Sequence, residues 1–150
     1  MRNRISLVVF LVVVIGGGLA IGSVTRPDGW YAALAKPSFN PPNWIFAPVW
    51  TILYVLVAVA GWRTFRRDAG GAAMKLWAAQ LVLNFLWSPV FFAAHWIGAA
   101  LAVVSALLVT ILAFVAATWV VDRPAAWMFV PYAAWVAFAA LLNASILVLN

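Results

Sequence analysis

The sequence has no cysteine and no glutamate, and its only histidine is His95. Without cysteine there is no disulfide framework, no thiolate metal site and no thiol nucleophile. The acids are Asp28, Asp68 and Asp122, and none falls inside a long apolar run. So few groups cannot make an acid–base pair, a nucleophile triad or a metal-ligand cluster. Proton-coupled pumps usually carry an intramembrane acid or histidine relay. Ion-coupled transport is therefore disfavoured along with ordinary hydrolysis. Charge as a whole is scarce: 8% of the 150 residues are charged and 68% are hydrophobic. Soluble domains run near about 25% charged and about 45–50% apolar. A chain this short could not hide so much apolar surface from water. An integral membrane protein remains. Periodic strand signals are also missing, which argues against a barrel.

What is present falls into apolar runs at 5–24, 44–62, 76–94, 98–121 and 126–149. Each is close to the ~20 residues that cross a hydrocarbon core about 30 Å thick. Helices satisfy their own backbone donors and acceptors, which lipid cannot do. The expected fold is an all-α membrane protein, a five-helix transmembrane bundle formed by a single domain over 1–150, with a long first loop at 25–43. The first run has the basic start and small-residue end of a leader peptide, whose removal would leave four helices. It reaches Val24, longer than a leader's usual apolar core, so it is read as a span.

The basic residues bracket these runs, the pattern of topology rather than of a nucleic-acid partner. Arg2, Arg4, Arg63, Arg66, Arg67, Lys75 and Arg123 share one side, against Arg26 and Lys36 on the other. That bias puts the N-terminus in the cytoplasm if the membrane is a bacterial inner membrane.

Aromatics are the other excess. Ten tryptophans and ten phenylalanines exceed what interfacial anchoring requires. On the third run Gln80, Asn84, Trp87, Ser88 and Phe91 fall at spacings of three and four, hence on one helical face. On the fifth, Trp135, Phe138, Ala139, Leu142 and Asn143 do the same, and on the second Trp50 and Tyr54 are one turn apart. Aromatic faces with a few amides suit a large, flat, mostly apolar ligand. The same residues also serve as core filler and interhelical glue, and spacing alone does not choose between the two. The first loop is rich in turn formers (Pro27, Asp28, Gly29, Pro37, Pro41, Pro42) and holds Trp30, Tyr31 and Phe39. It reads either as a surface connection or as a lid over the bundle's mouth. Gly18 and Gly22 form a G-x-x-x-G pair suited to close packing, within the bundle or between two copies. Pro48, Pro89 and Pro131 are placed to bend helices. His95 is read as an exposed loop residue.

At these residues the chain resembles the TspO/MBR family, the tryptophan-rich sensory proteins related to the mitochondrial translocator protein. The matching stretches are KPSFNPPNWIFAPVWTILY at 36–54, WAAQLVLNFLWSPVFF at 77–92 and VPYAAWVAFAALLN at 130–143. The resemblance implies a multi-pass protein of the bacterial cell envelope, commonly a homodimer. It implies binding of porphyrins such as protoporphyrin IX in a pocket closed by the first loop, with no cofactor required and no metal. Carried over, the pocket holds Trp50, Asn84, Trp87, Trp135, Phe138 and Ala139, with Trp30, Tyr31 and Pro41 from the lid. Tyr54 and Asn143, from the face arithmetic, complete the ligand-binding set. Lys36 or Arg26 would meet a ligand propionate. Trp50 and Trp135 would be catalytic residues if the family's light- and oxygen-dependent porphyrin breakdown is present. Receptor or sensor is the leading expectation, with photodegradation and transport of lipophilic ligands as alternatives. Two departures stand out. The animal cholesterol motif would need a tyrosine and an arginine where Ala144 and Val148 stand, and Ala99 replaces a tryptophan frequent in animal members.

Overall fold

The computed structural model describes residues 1–150 and contains five helices long and apolar enough to cross a membrane. They are Arg2–Val24, Asn43–Asp68, Ala72–Ala93, Ile97–Thr118 and Arg123–Leu149, called the first to fifth spans below. The apolar runs predicted all of them but misplaced several ends. The second span continues past Trp62 to Asp68. A charged residue leaves the hydrocarbon without ending the helix, and Arg66 and Arg67 in the last turn oppose its partial negative end. The fourth span stops at Thr118 rather than near Val121, and the fifth begins at Arg123, with Pro124 in the first turn where its missing N–H costs nothing. Asp122 precedes that helix without capping it. Its carboxylate is taken by Arg63, whose Nη2 lies 2.8 Å away and whose Nε donates to both oxygens. Pro48 and Pro131 lie inside continuous helices.

The first span lies against the second and third, the second against the fifth, the fifth against the fourth, and the fourth against the third. This ring is solid at one end and hollow at the other. At the solid end small residues admit large ones. Trp77 lies on Gly61, where any Cβ would collide with its ring, and donates from Nε1 to the Val57 carbonyl at 2.9 Å. Phe114 and Phe129 are fully buried with ring centroids 4.1 Å apart. Ala58, Ala60, Ile111 and Ala125 fill the remaining space.

The first span is the loosest member, with Val14 as its only buried residue. Its N-terminal half packs on the second span, while Gly17–Val24 leans on the third. Gly17 faces Phe85 and Gly18 faces Tyr54, each too close to admit a side chain. Gly22 faces open space. The G-x-x-x-G pair is thus divided: Gly18 packs inside the bundle and Gly22 does not.

Candidate functional site

The hollow end encloses a cavity of ≈ 660 Å³. That volume falls in the range of about 300–1,000 Å³ common for small-molecule sites. The second span contributes Phe46, Trp50 and Tyr54, the third Asn84, Trp87 and Phe91, and the fifth Trp135, Ala139 and Asn143. Val104 and Leu107 come from the fourth span, Ile15, Leu19 and Gly22 from the first, and Tyr31 and Asn40 from the loop above. One-turn spacing brings each set to a single helical face. Trp50 and Trp135 meet edge to face, with centroids 6.4 Å apart and planes at 86°. Phe46 sits edge-on to the Trp135 ring at 5.8 Å.

The floor is a directed chain of hydrogen bonds. Tyr54 Oη donates to Asn84 Oδ1 at 3.1 Å, Asn84 Nδ2 to Tyr132 Oη at 2.6 Å, and Tyr132 Oη to Gln80 Oε1 at 2.7 Å. Three spans are joined at mid-bundle by groups that lipid could not satisfy. Higher up, Trp87 Nε1 donates to Asn143 Oδ1 at 3.0 Å, and Asn143 Nδ2 donates to the Ile97 carbonyl at 2.9 Å. Thr25 and Ser88 hydroxyls lie 2.6 Å apart, tying the top of the first span to the third. Two polar atoms of wall residues are buried without a partner, the Trp135 indole N–H and Asn40 Oδ1. Leaving such a group unmatched costs about 1–3 kcal/mol, and both atoms are shut off from the chamber as well as from bulk water.

The first loop forms a roof. Within it lies a short helix, Gly29–Ala33, started by Asp28, whose Oδ1 accepts from the backbone N–H groups of Trp30 and Tyr31 at 3.1 and 3.3 Å. Lys36 Nζ donates to the Ala32 and Leu34 carbonyls and sits 4.6 Å from the Tyr31 ring centre. Asn150 holds the roof from below: its Nδ2 donates to the Ala35 carbonyl at 2.9 Å, and its Oδ1 accepts from the Ala35 N–H at 3.1 Å. Burial pushes the Tyr31 phenol above its ordinary pKa.

Of the residues singled out from sequence, Tyr31, Trp50, Tyr54, Asn84, Trp87, Trp135, Ala139 and Asn143 line the cavity. Trp30, Pro41 and Phe138 stand behind the wall instead. Trp30 stacks flat on His95, with centroids 3.9 Å apart and planes at 11°. His95 is exposed, as expected, and adopts a left-handed backbone with φ 60° beneath that ring. Phe138 packs between Trp135 and the roof's Phe39. The Pro41 carbonyl accepts from Asn40 Nδ2 at 3.4 Å. Arg26 is exposed at the cavity rim, whereas Lys36 is folded onto the roof and does not line it. Sequence reasoning missed Asn40, Tyr132 and the Thr25–Ser88 pair. Tyr132 was accessible to the same arithmetic, being three residues before Trp135 and seven before Ala139. Asn40 and Thr25 lie where no periodicity exists.

Fold and site together define a multi-pass helical membrane protein built around an aromatic-walled chamber roofed by a loop. A sequence model of the TspO/MBR family matches residues 8–149. Relatives include a tryptophan-rich sensory protein of Cereibacter sphaeroides, 39% identical over 90% of this chain and 85% of its own. Protein CrtK of Rhodobacter capsulatus is 36% identical over 87% and 84%, and the translocator protein of Bos taurus 39% over 85% and 79%. The chain belongs to the TspO/MBR family, a family of membrane sensory and translocator proteins.

Proposed function

We propose that the chamber is a receptor site for porphyrins such as protoporphyrin IX and for related flat, apolar macrocycles. The observation that carries this reading is the Trp50–Trp135 pair: two indoles at right angles in the wall of a roofed cavity. A planar ring system stacks on an indole face, and aromatic pairs contribute about 0.5–1.5 kcal/mol beyond burial. Arg26, exposed at the rim, supplies a positive charge for a propionate. Localisation in a bacterial envelope, with the N-terminus cytoplasmic in an inner membrane, is part of the same proposal and rests on the basic bias. Titration of detergent-solubilised protein with protoporphyrin IX tests it. Saturable quenching of tryptophan emission at micromolar ligand is expected; unquenched emission there would overturn it.

The closeness of Trp50 to Trp135 favours a second reading, photosensitised oxidation in which the bound porphyrin absorbs light and dioxygen is the oxidant. It needs no acid–base group. Illumination should then bleach the porphyrin faster on the wild-type protein than on Trp50→Phe or Trp135→Phe, and equal rates would leave binding alone. Transport, the sense of the bovine relative's name, would show as ligand flux into sealed vesicles.

A further inference from the structure

The cavity has two boundaries that differ in construction. The roof is fastened by Asn150 to Ala35 through two hydrogen bonds, by the Trp30–His95 stack and by Lys36 over Tyr31. Between the first and second spans the hydrogen bonds lie at the opposite, solid end, where Trp62 Nε1 donates to the Asn3 carbonyl and to Ser6 Oγ at 3.1 Å each, and the upper part of that side has none. There the upper half of the first span leans away toward the third, and Gly18 is its close approach to the second. Above that point Leu19 and Gly22 on one edge, and Ala47 and Thr51 on the other, line the cavity and are exposed. Leu19 is 63% exposed, and a Cβ on Gly22 would meet nothing within 4 Å. An exposed residue in the chamber lining marks an opening: Ser23, Arg26, Pro27 and Asn43 mark a polar one beside the roof, and Leu19, Gly22, Ala47 and Thr51 a mostly apolar one. The latter looks sideways, along spans whose outer faces are apolar.

We infer that the ligand passes between chamber and bilayer through this slot between the first and second spans, with the roof staying shut. The inference rests on the chamber reading proposed above. An apolar macrocycle concentrates in the bilayer, so a sideways opening meets it where it is dissolved and spares it a crossing through water. Of these four slot residues only Thr51 is polar, and its hydroxyl is turned back onto the Ala47 carbonyl at 2.8 Å and so presents no free donor. Opening the slot above Gly18 leaves the Trp62 bonds at the far end intact, whereas lifting the roof breaks both Asn150 bonds and separates the Trp30–His95 stack.

The test uses the full chain in lipid nanodiscs, with protoporphyrin IX dissolved in the bilayer and tryptophan quenching followed by stopped flow. Gly22→Leu adds a side chain at the slot edge, where a Cβ meets nothing within 4 Å. It should slow association and dissociation together by about tenfold, as a higher barrier does. Leu19→Ala, at a position too exposed to matter for folding, should speed both. Asn150→Ala loosens the roof and should leave both rates as in wild type. Faster rates in Asn150→Ala, with unchanged rates in the two slot variants, would make the roof the door and overturn the inference. The equilibrium amplitude separates this from the chamber reading: full quenching with slot-independent rates removes the slot alone, while no quenching in wild type removes both.

Discussion

The two halves of this bundle are made by the same helices and behave as opposites. In the solid half Trp77 meets Gly61, alanines fill around the paired Phe114 and Phe129 rings, and the space closes. In the hollow half large residues stand on three spans: Phe46, Trp50 and Tyr54 on the second, Trp87 on the third and Trp135 on the fifth. They meet at edges and corners and hold the helices apart. The first span shows the difference along its own length, packed on the second span at its N-terminal half and leaning away from it at Gly17–Val24. Lipid supplies no hydrophobic force to collapse the space that these rings hold open.

The sharpest way to break this contrast is a matched pair of substitutions. Gly61→Leu drives a side chain into the Trp77 ring and should lower thermal stability in detergent by about 1–3 kcal/mol or more, or prevent folding. Gly22→Leu, the same change in the hollow half, should leave the melting temperature within a degree or two, since only open space surrounds that site. Equal losses would erase the distinction between the halves. Next in size is the floor that divides them. Asn84→Leu strands the Tyr54 hydroxyl and removes a donor from Tyr132, and should cost about 1–3 kcal/mol by the same measurement. An unchanged melting point would show that the floor chain contributes nothing net. A smaller effect is expected in the wall: Trp135→Phe should weaken protoporphyrin binding by up to about tenfold, the worth of one aromatic pair, while stability holds. Loss of stability without loss of affinity would return Trp135 to core filler.

The smallest effect lies in the roof. Burial raises the Tyr31 phenol above its ordinary 10.0. The folded roof then holds a proton that the unfolded chain releases, so its stability is complete below pH 10 and declines as pH rises from 10 through the raised value. Tyr31→Phe should remove that decline in pH-dependent melting curves, and an unaltered curve would assign it elsewhere.

How much of this was legible beforehand follows from periodicity. The spans were readable because an apolar run long enough to cross a bilayer has few other uses. Their ends were not, because Arg63 and Asp68 leave the hydrocarbon while the backbone goes on bonding to itself. Trp50, Tyr54, Asn84, Trp87 and Asn143 were readable as wall residues because helical spacing assigns a face. Phe138 was misplaced by the same rule: a three-residue step from Trp135 turns it about 60° to one side, and there it meets Phe39 of the roof. Trp30 and Asn40 sit in a loop with no repeat. Their direction depends on partners remote in sequence, His95 for Trp30, which no local pattern encodes.

The central claim is that the hollow half is a chamber for a flat macrocycle. Its most direct test is the porphyrin's own absorbance on titration into wild type and into Ala139→Phe, which fills the chamber from the fifth span. The account predicts a saturable shift of the porphyrin band with wild type and its loss with Ala139→Phe at an unchanged melting temperature. The same shift in both proteins would place the ligand on the outer surface and contradict it.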